Sequence, residues 1–473
     1  MTAPNSRRTV AAPGLRGSLM LGVTRQLQRD QLGTFERAVA EHGDVVRLIV
    51  GPPGRRSSLY LVTHPDGVQQ VLTNASSDYT KDTPFYREIS AYLGEGLLTS
   101  DGQRWRQQRR TLAPLFTRRR TDRHVSAMAA EADRLVRRWA APATASTPVD
   151  LHAEITAYTL RVVGRILFGA NVDDAIPVIR DTLPVLTEHV RRRARNPLRL
   201  PRHWPTPTLR RAVAAQQALY HLIDTIVDQR GHTDPHEADL ISLLRTARDP
   251  QTGAPLSARD VRDQLLIFLL AGHETTSTAL TATCHLLGHH LEQQHRIHQE
   301  LDAILAGRPP TAADIGRLTH TTMAVKEAIR LYPPAHSLGR FTATGDRIAG
   351  FDIPPGSTVV LSPWITHHRP DLWPDPHRFD PQRFHPTASE TRHRYAYLPF
   401  AGGPRSCIGE HFAMTEAVVA TAVLLSAYTL STPAAPIPLK TGITLRPAGP
   451  VPCQLAPRIP TATTSSTTRE TLR

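Results

Sequence analysis

Cysteine is scarce in this chain of 473 residues: Cys284, Cys407 and Cys453 lie far apart and form no C-x-x-C pair. Such spacing excludes a disulfide framework and a cysteine-built zinc site, and it fits a reducing compartment, the cytoplasm. Long hydrophobic runs are missing too. The densest, Val261 to Ala271, is interrupted by Arg262, Asp263 and Gln264, and it falls well short of the ~20 apolar residues that span a bilayer. Near the N-terminus, Gly14 to Gly22 is broken by glycine and charge, unlike the apolar core of a signal peptide. The chain is therefore expected to be neither secreted nor membrane-anchored. No fixed-period repeat is visible, which argues against a solenoid. Acidic residues are in the minority, leaving a formal net charge of +14. The arginines are scattered through amphipathic segments without a recognised nucleic-acid-binding motif, so the excess predicts a basic docking face for an acidic electron-transfer protein and no nucleic-acid partner.

With 40% hydrophobic and 21% charged residues the chain can bury a large core. One domain is expected over 13–460, between polar, low-complexity ends at 1–12 and 461–473 that read as disordered. Strand-like runs occur at Val45 to Val50, Leu59 to Thr63, Arg347 to Ile353 and Thr358 to Leu361. Helical patterns dominate the rest: Leu151, Ile155, Tyr158, Val162 and Ile166 keep a helical spacing, as do Leu209, Val213, Tyr220, Ile223 and Val227. Ser257 followed by Asp260 is a helix-start signature and opens a long helix. The arginine run from His189 to Arg195 reads as a solvated helix end.

One string concentrates chemistry: Phe400-Ala-Gly-Gly-Pro-Arg405-Ser-Cys407-Ile-Gly409. A lone cysteine is most often a buried structural thiol. Here Gly403 lets the backbone turn, Gly409 lets the following helix pack close, and Arg405 supplies a cation for a carboxylate. The helix expected to start at Glu410 points its amides at the sulfur and favours the thiolate. A thiolate of this kind suits haem iron, where its electron push favours O–O cleavage.

At every specified position the string resembles the haem-binding signature of the cytochrome P-450 family, F-x-x-G-x-R-x-C-x-G. Three further elements resemble that family in its order. Ala271-Gly-His-Glu274-Thr275-Thr276 is similar to the oxygen-binding motif; as a zinc motif it fails, because Ser277 stands where H-E-x-x-H needs its second histidine. Glu327-Ala-Ile-Arg330, with Arg383 in Pro-Gln-Arg-Phe, resembles the E-x-x-R element and its distant arginine, with Gln382 in place of the usual glutamate. Trp105-Arg-Gln-Gln-Arg109 matches W-x-x-x-R.

The resemblance runs from about Gly43 to Pro447 and implies a mainly α triangular-prism fold with a small β-region. It implies haem b with Cys407 as axial thiolate and iron ligand, and Trp105, Arg109, Arg340, Phe400, Arg405 and Gly409 as cofactor-binding residues. Glu274 and Thr275 would relay protons in oxygen activation, while Glu327, Arg330 and Arg383 would form a structural charge cluster. The substrate pocket would draw on Ile267, Ala271, His336 and Ser337, within segments 85–97, 183–200, 267–271, 335–338 and 442–444. The activity implied is that of a soluble, monomeric monooxygenase that hydroxylates or epoxidises a small apolar terpenoid or polyketide in secondary metabolism. It would consume dioxygen and take NAD(P)H electrons through an acidic ferredoxin and a ferredoxin reductase. A haem-thiolate peroxygenase or isomerase is the alternative within enzymes. A non-catalytic haem sensor or electron carrier is disfavoured by the Glu274-Thr275 pair.

Overall fold

The computed structural model describes residues 10–73, 79–167, 169, 173, 175–196, 201, 204, 206–229 and 240–458. Its body is helical, with small sheets at the periphery. The largest sheet has five strands in the order Val45–Val50, Ser57–Val62, Ser357–Leu361, Leu338–Thr342 and Tyr79–Thr80. All its pairings are antiparallel except Ser57–Val62 with Ser357–Leu361. A parallel pair needs a crossover, and here the crossover is most of the helical body. Val45, Leu61, Val62, Val359 and Leu361 are fully buried, and because adjacent Leu61 and Val62 point to opposite faces, the sheet is covered on both sides.

The long helix expected from Ser257 spans Ala258–His289. Its capping box is complete: Ser257 Oγ accepts the Asp260 N–H at 3.1 Å, and Asp260 Oδ2 accepts the Ser257 N–H at 3.2 Å. The helix is apolar almost all round and is buried accordingly. It packs against helices Leu151–Leu167, Thr319–Leu331 and Glu410–Ala427. Leu265, Leu266, Leu269 and Leu270 are each buried, and at about 2 kcal/mol per side chain they fix its position without help from the polar turn that follows.

Four expectations need correction. The sequence 347–353 is a hairpin of two strands, Asp346–Ile348 and Phe351–Ile353, because Ala349 and Gly350 both take positive φ (47° and 86°) and turn the chain. In the helix Pro207–Gln229 the buried stripe is Ala212, Ala215, Leu219, Ile223 and Ile226, while Val213 is 36% exposed. Small alanines face the neighbouring helix there, and a search for large apolar residues passes over them.

Residues 10–12 are ordered against that hairpin: the Val10 N–H donates to Asp352 Oδ2 at 2.8 Å, and Ala12 is buried. The rest of the expected disordered ends, 1–9 and 461–473, lies outside the described residues. The arginine run ends the helix Ala175–Arg195 but is not simply solvated. His189 is buried with Nε2 2.9 Å from Tyr92 Oη, and Arg193 pairs with buried Glu88 at 2.9 Å.

Candidate active site

The Cys407 loop is built as its glycines and amides dictate. Gly403 has φ +68°, and a Cβ there would sit 2.1 Å from the Leu72 carbonyl oxygen, so only glycine fits. The Cys407 N–H donates to the Phe400 carbonyl at 2.9 Å and closes the loop. Gly409 is the N-cap of the helix Glu410–Ala427. Among the described residues no atom outside its chain neighbours lies within 4 Å of where its Cβ would be, so it borders open space and does not mediate close helix packing.

That space is a cavity of about 310 Å³. Its walls include Trp105, Arg109, Ile267, Ala271, Thr275, Arg340, Phe400, Arg405, Cys407 and Gly409, brought together from four separate stretches of chain. One further residue, Lys81, was not foreseen from sequence. It is one of only three lysines in a chain whose other strong bases are arginines, and no local pattern marks it.

Charge in the cavity is one-sided. Lys81 is buried, its ammonium donating to the Leu98 carbonyl at 2.7 Å. Burial pushes its pKa well below the usual lysine range, and Arg340 and Arg405 push it further, against Asp101 alone among the nearby carboxylates. Arg405 pairs with Asp101, and its guanidinium lies 4.2 Å from the centre of the Trp105 ring. Arg109 donates to the Ser406 carbonyl at 3.0 Å and Arg340 to the Gly339 carbonyl at 2.9 Å. Buried positive charge in excess of its partners is costly unless an anion completes it. Two carboxylates, such as haem propionates, fit this edge.

Cys407 opens onto the cavity. Burial pushes its thiol up, opposed by the Gly409 N–H and Arg109, and Glu410 adds to the upward push. The helix amide expected to favour the thiolate is therefore present but outweighed; a bound metal cation would deprotonate the thiol outright. An otherwise apolar cavity with a thiol in one wall and unbalanced cations along one edge suits an iron porphyrin.

The long helix supplies Thr275, whose Oγ1 donates to the Ala271 carbonyl at 2.6 Å. Glu274 does not line the cavity. Its Oε1 lies 3.9 Å from Arg446 Nη1, and its Oε2 is buried without a partner. His273 is buried with Nδ1 2.6 Å from the Leu269 carbonyl oxygen.

Glu327 and Arg330 are fully buried and doubly hydrogen-bonded, at 2.7 and 2.8 Å. Arg383 Nε stands 3.4 Å from Glu327, and the Asp380 N–H donates to the same carboxylate at 3.0 Å. Arg330 also holds the carbonyls of His367 and Pro376, each at 2.7 Å, and so pins the proline-rich wrap to the helical body.

Of the residues expected at a substrate pocket, Ile267 and Ala271 line the cavity and His336 and Ser337 do not. The buried His336 offers its carbonyl to Ser362 Oγ at 3.2 Å, and Ser337 Oγ faces Gln31 Nε2 at 3.5 Å. Ser337 faces the N-terminal helix Gln31–His42, while the neighbouring Ala335 and Leu338 face the cavity. No described residue of 183–200 or 442–444 lines it.

Residues 13–452 match the family model described as Cytochrome P450. The cyclooctatin synthase of Streptomyces melanosporofaciens is 37% identical over 93% of this chain and 92% of its own length. From the same organism, cyclooctat-9-en-7-ol 5-monooxygenase is 35% identical over 97% of each chain. The pentalenene oxygenase of Streptomyces avermitilis is 32% identical over 89% of this chain and 92% of its own. The crystal structure of the cytochrome P450DA haem domain superposes with a TM-score of 0.86 at 27% identity, covering 96% of this chain and 99% of that one.

Proposed function

The chain belongs to the cytochrome P450 family and is a haem-dependent monooxygenase, and we propose that it hydroxylates or epoxidises a cyclic terpenoid in secondary metabolism. The observation that carries this reading is the division of the cavity. All its cations sit on the edge suited to propionates, leaving walls of Leu97, Phe116, Val163, Ile267, Phe268 and Leu338 with no anchor for a charged substrate. The names of the relatives, which act on cyclooctatin precursors and pentalenene, support a terpenoid over a polyketide.

Cys407 Sγ would ligate the iron, and Lys81, Arg109, Arg340 and Arg405 would take the propionates, with Trp105 stacked on Arg405. When bound, the haem supplies oxygen activation under the electron push of its thiolate. The protein's own part is binding, exclusion of water and delivery of protons. Apolar walls hold the substrate dry. Thr275 Oγ1, which now donates to Ala271 O, is free to rotate to a water in the cavity, and Glu274 stands behind it as the proton source.

Electrons come from NAD(P)H through an acidic ferredoxin and its reductase in the cytoplasm, and the enzyme works as a monomer. Arg118, Arg119 and Arg123 support the docking face. All three are exposed beside the Cys407 helix, where His411 Nε2 lies 3.2 Å from Asp122 Oδ1. The test is turnover of cyclic diterpenes, sesquiterpenes and polyketides with surrogate ferredoxin, reductase and NADPH. Oxidised terpene is the expected product, formed more slowly as salt rises. Product from peroxide alone, and none from NADPH, would instead establish the peroxygenase.

A further inference from the structure

Asp263 and Gln264 interrupt the densest apolar run of the chain, and no step of the reaction uses either. Both are buried, at 1% and 0% exposure. Polar groups in such a place cost stability unless something there needs them. What needs them is a loop. Residues 94–101 join the helices Pro84–Leu93 and Gly102–Leu112 and are pressed into the body so far that Gly94, Gly96 and Leu97 are buried. A buried loop carries backbone amides that no strand or helix satisfies. Here Asp263 Oδ2 accepts the Glu95 N–H at 2.9 Å, and Gln264 Oε1 accepts the Leu97 N–H at 3.0 Å.

The approach is close enough to require glycine. A Cβ on Gly94, whose φ is +82°, would fall 2.2 Å from Asp263 Cγ, and one on Gly96 would fall 2.8 Å from Ile267 Cγ1. From the other side, Gln108 Nε2 donates to the Glu95 carbonyl at 2.8 Å and Gln108 Oε1 accepts the Ser100 hydroxyl at 2.6 Å. Two helices therefore grip the loop through its backbone. Among these fastenings sit Leu97 and Leu98, which line the cavity, as do Ile267, Phe268 and Ala271 on the turns after Gln264. Gln264 Nε2 has no partner among the described residues, so the Leu97 N–H alone orients the amide.

We propose that Asp263 and Gln264 are positioning residues for substrate selection, clamping 94–100 to the long helix so that Leu97 and Leu98 form a fixed wall instead of a yielding one. The proposal rests on the reading of the cavity as the substrate site. Admitting a larger molecule would break buried hydrogen bonds and strand their donors away from water, so a clamped wall discriminates by shape where a loose loop gives way. Neither residue lines the cavity itself. Their selection acts through the loop.

Amide hydrogen exchange reads the clamp, and azole binding reads its consequence. In Asp263→Ala and Gln264→Met, exchange at the Glu95 and Leu97 amides respectively should quicken roughly 10-fold, the scale of one hydrogen bond. In the haem-loaded variants, spectral titration with imidazole should give the wild-type affinity, while the bulky clotrimazole should bind roughly 10-fold more tightly because the wall now yields. Asp263→Asn keeps an acceptor oxygen and should match wild type in both measurements. Gly96→Ala leaves the long helix intact and lifts the loop with its Cβ; it should reproduce the azole effect where the helix variants fold poorly. Unchanged exchange at both amides, unchanged clotrimazole affinity, or equal changes for the two azoles would each overturn the clamp. Neither measurement needs turnover, so both stay readable if no terpenoid is oxidised, and terpenoid oxidation with an unmoved azole preference sinks the clamp alone.

Discussion

Glu327 and Glu274 are both carboxylates set into the helical body, and their surroundings are opposite. Glu327 has both oxygens engaged, by Arg330 twice and by the Asp380 N–H, with Arg383 beside it. Glu274 has one oxygen at 3.9 Å from Arg446 and the other with no protein partner. A saturated carboxylate holds structure and has nothing to give. A half-satisfied one costs stability and is open to water, the difference expected between a structural acid and the proton-carrying acid proposed for Glu274. Glu416 is a third case: it is fully buried, both its oxygens are unpartnered, and burial alone pushes its carboxyl well up.

The contrast breaks most visibly at Glu327. Glu327→Ala leaves Arg330 charged and buried, and should cost about 3–5 kcal/mol; thermal unfolding of the holoprotein would show it, and a loss under 1 kcal/mol would mean the cluster is not structural. Thr275→Ala should do the reverse: folding stays within about 1 kcal/mol of wild type, and NADPH-driven turnover falls roughly 100-fold. Stopped-assay product and peroxide yields, read beside a melting curve, separate the two behaviours.

Glu416→Gln sharpens the middle case through its pH dependence. The folded carboxyl is raised above the unfolded one, so between those two values the unfolded state holds fewer protons than the native state, and wild type loses stability as pH rises through that window. Glu416→Gln lacks this titration. It should match wild type near pH 4 and exceed it at neutral pH, by about 1.4 kcal/mol for each pH unit of the upward shift. Denaturant midpoints at several pH values measure it, and a constant difference would show that the carboxyl is ionised in the fold. The smallest effect is expected at Ser257→Ala, which removes the cap of the helix carrying Glu274. It should cost about 1 kcal/mol and leave turnover unchanged, placing the function in the polar turn and its partners rather than in the helix start.

Much of this was legible in one dimension because its causes are local. The Ser257–Asp260 capping box needs only four residues. The Cys407 loop depends on a glycine at positive φ, and Glu327 with Arg330 on a three-residue helical spacing. Where the signal was the size of apolar side chains, it missed the alanine face of Pro207–Gln229. Where orientation mattered, it placed His336 and Ser337 in the pocket, although neighbouring residues of an extended segment turn to opposite sides.

By itself, the sequence determined the haem-thiolate chemistry, because ligand, cation and acid–alcohol pair each lie within a few residues of a fixed backbone geometry. The tertiary structure alone decided which distant groups complete that chemistry. Lys81 becomes part of a cationic edge because Arg340 and Arg405 fold against it. Glu274 acquires Arg446 because a C-terminal strand closes over one turn of the long helix. Electrostatic interaction depends on distance through space, and only packing sets that distance between residues hundreds of positions apart.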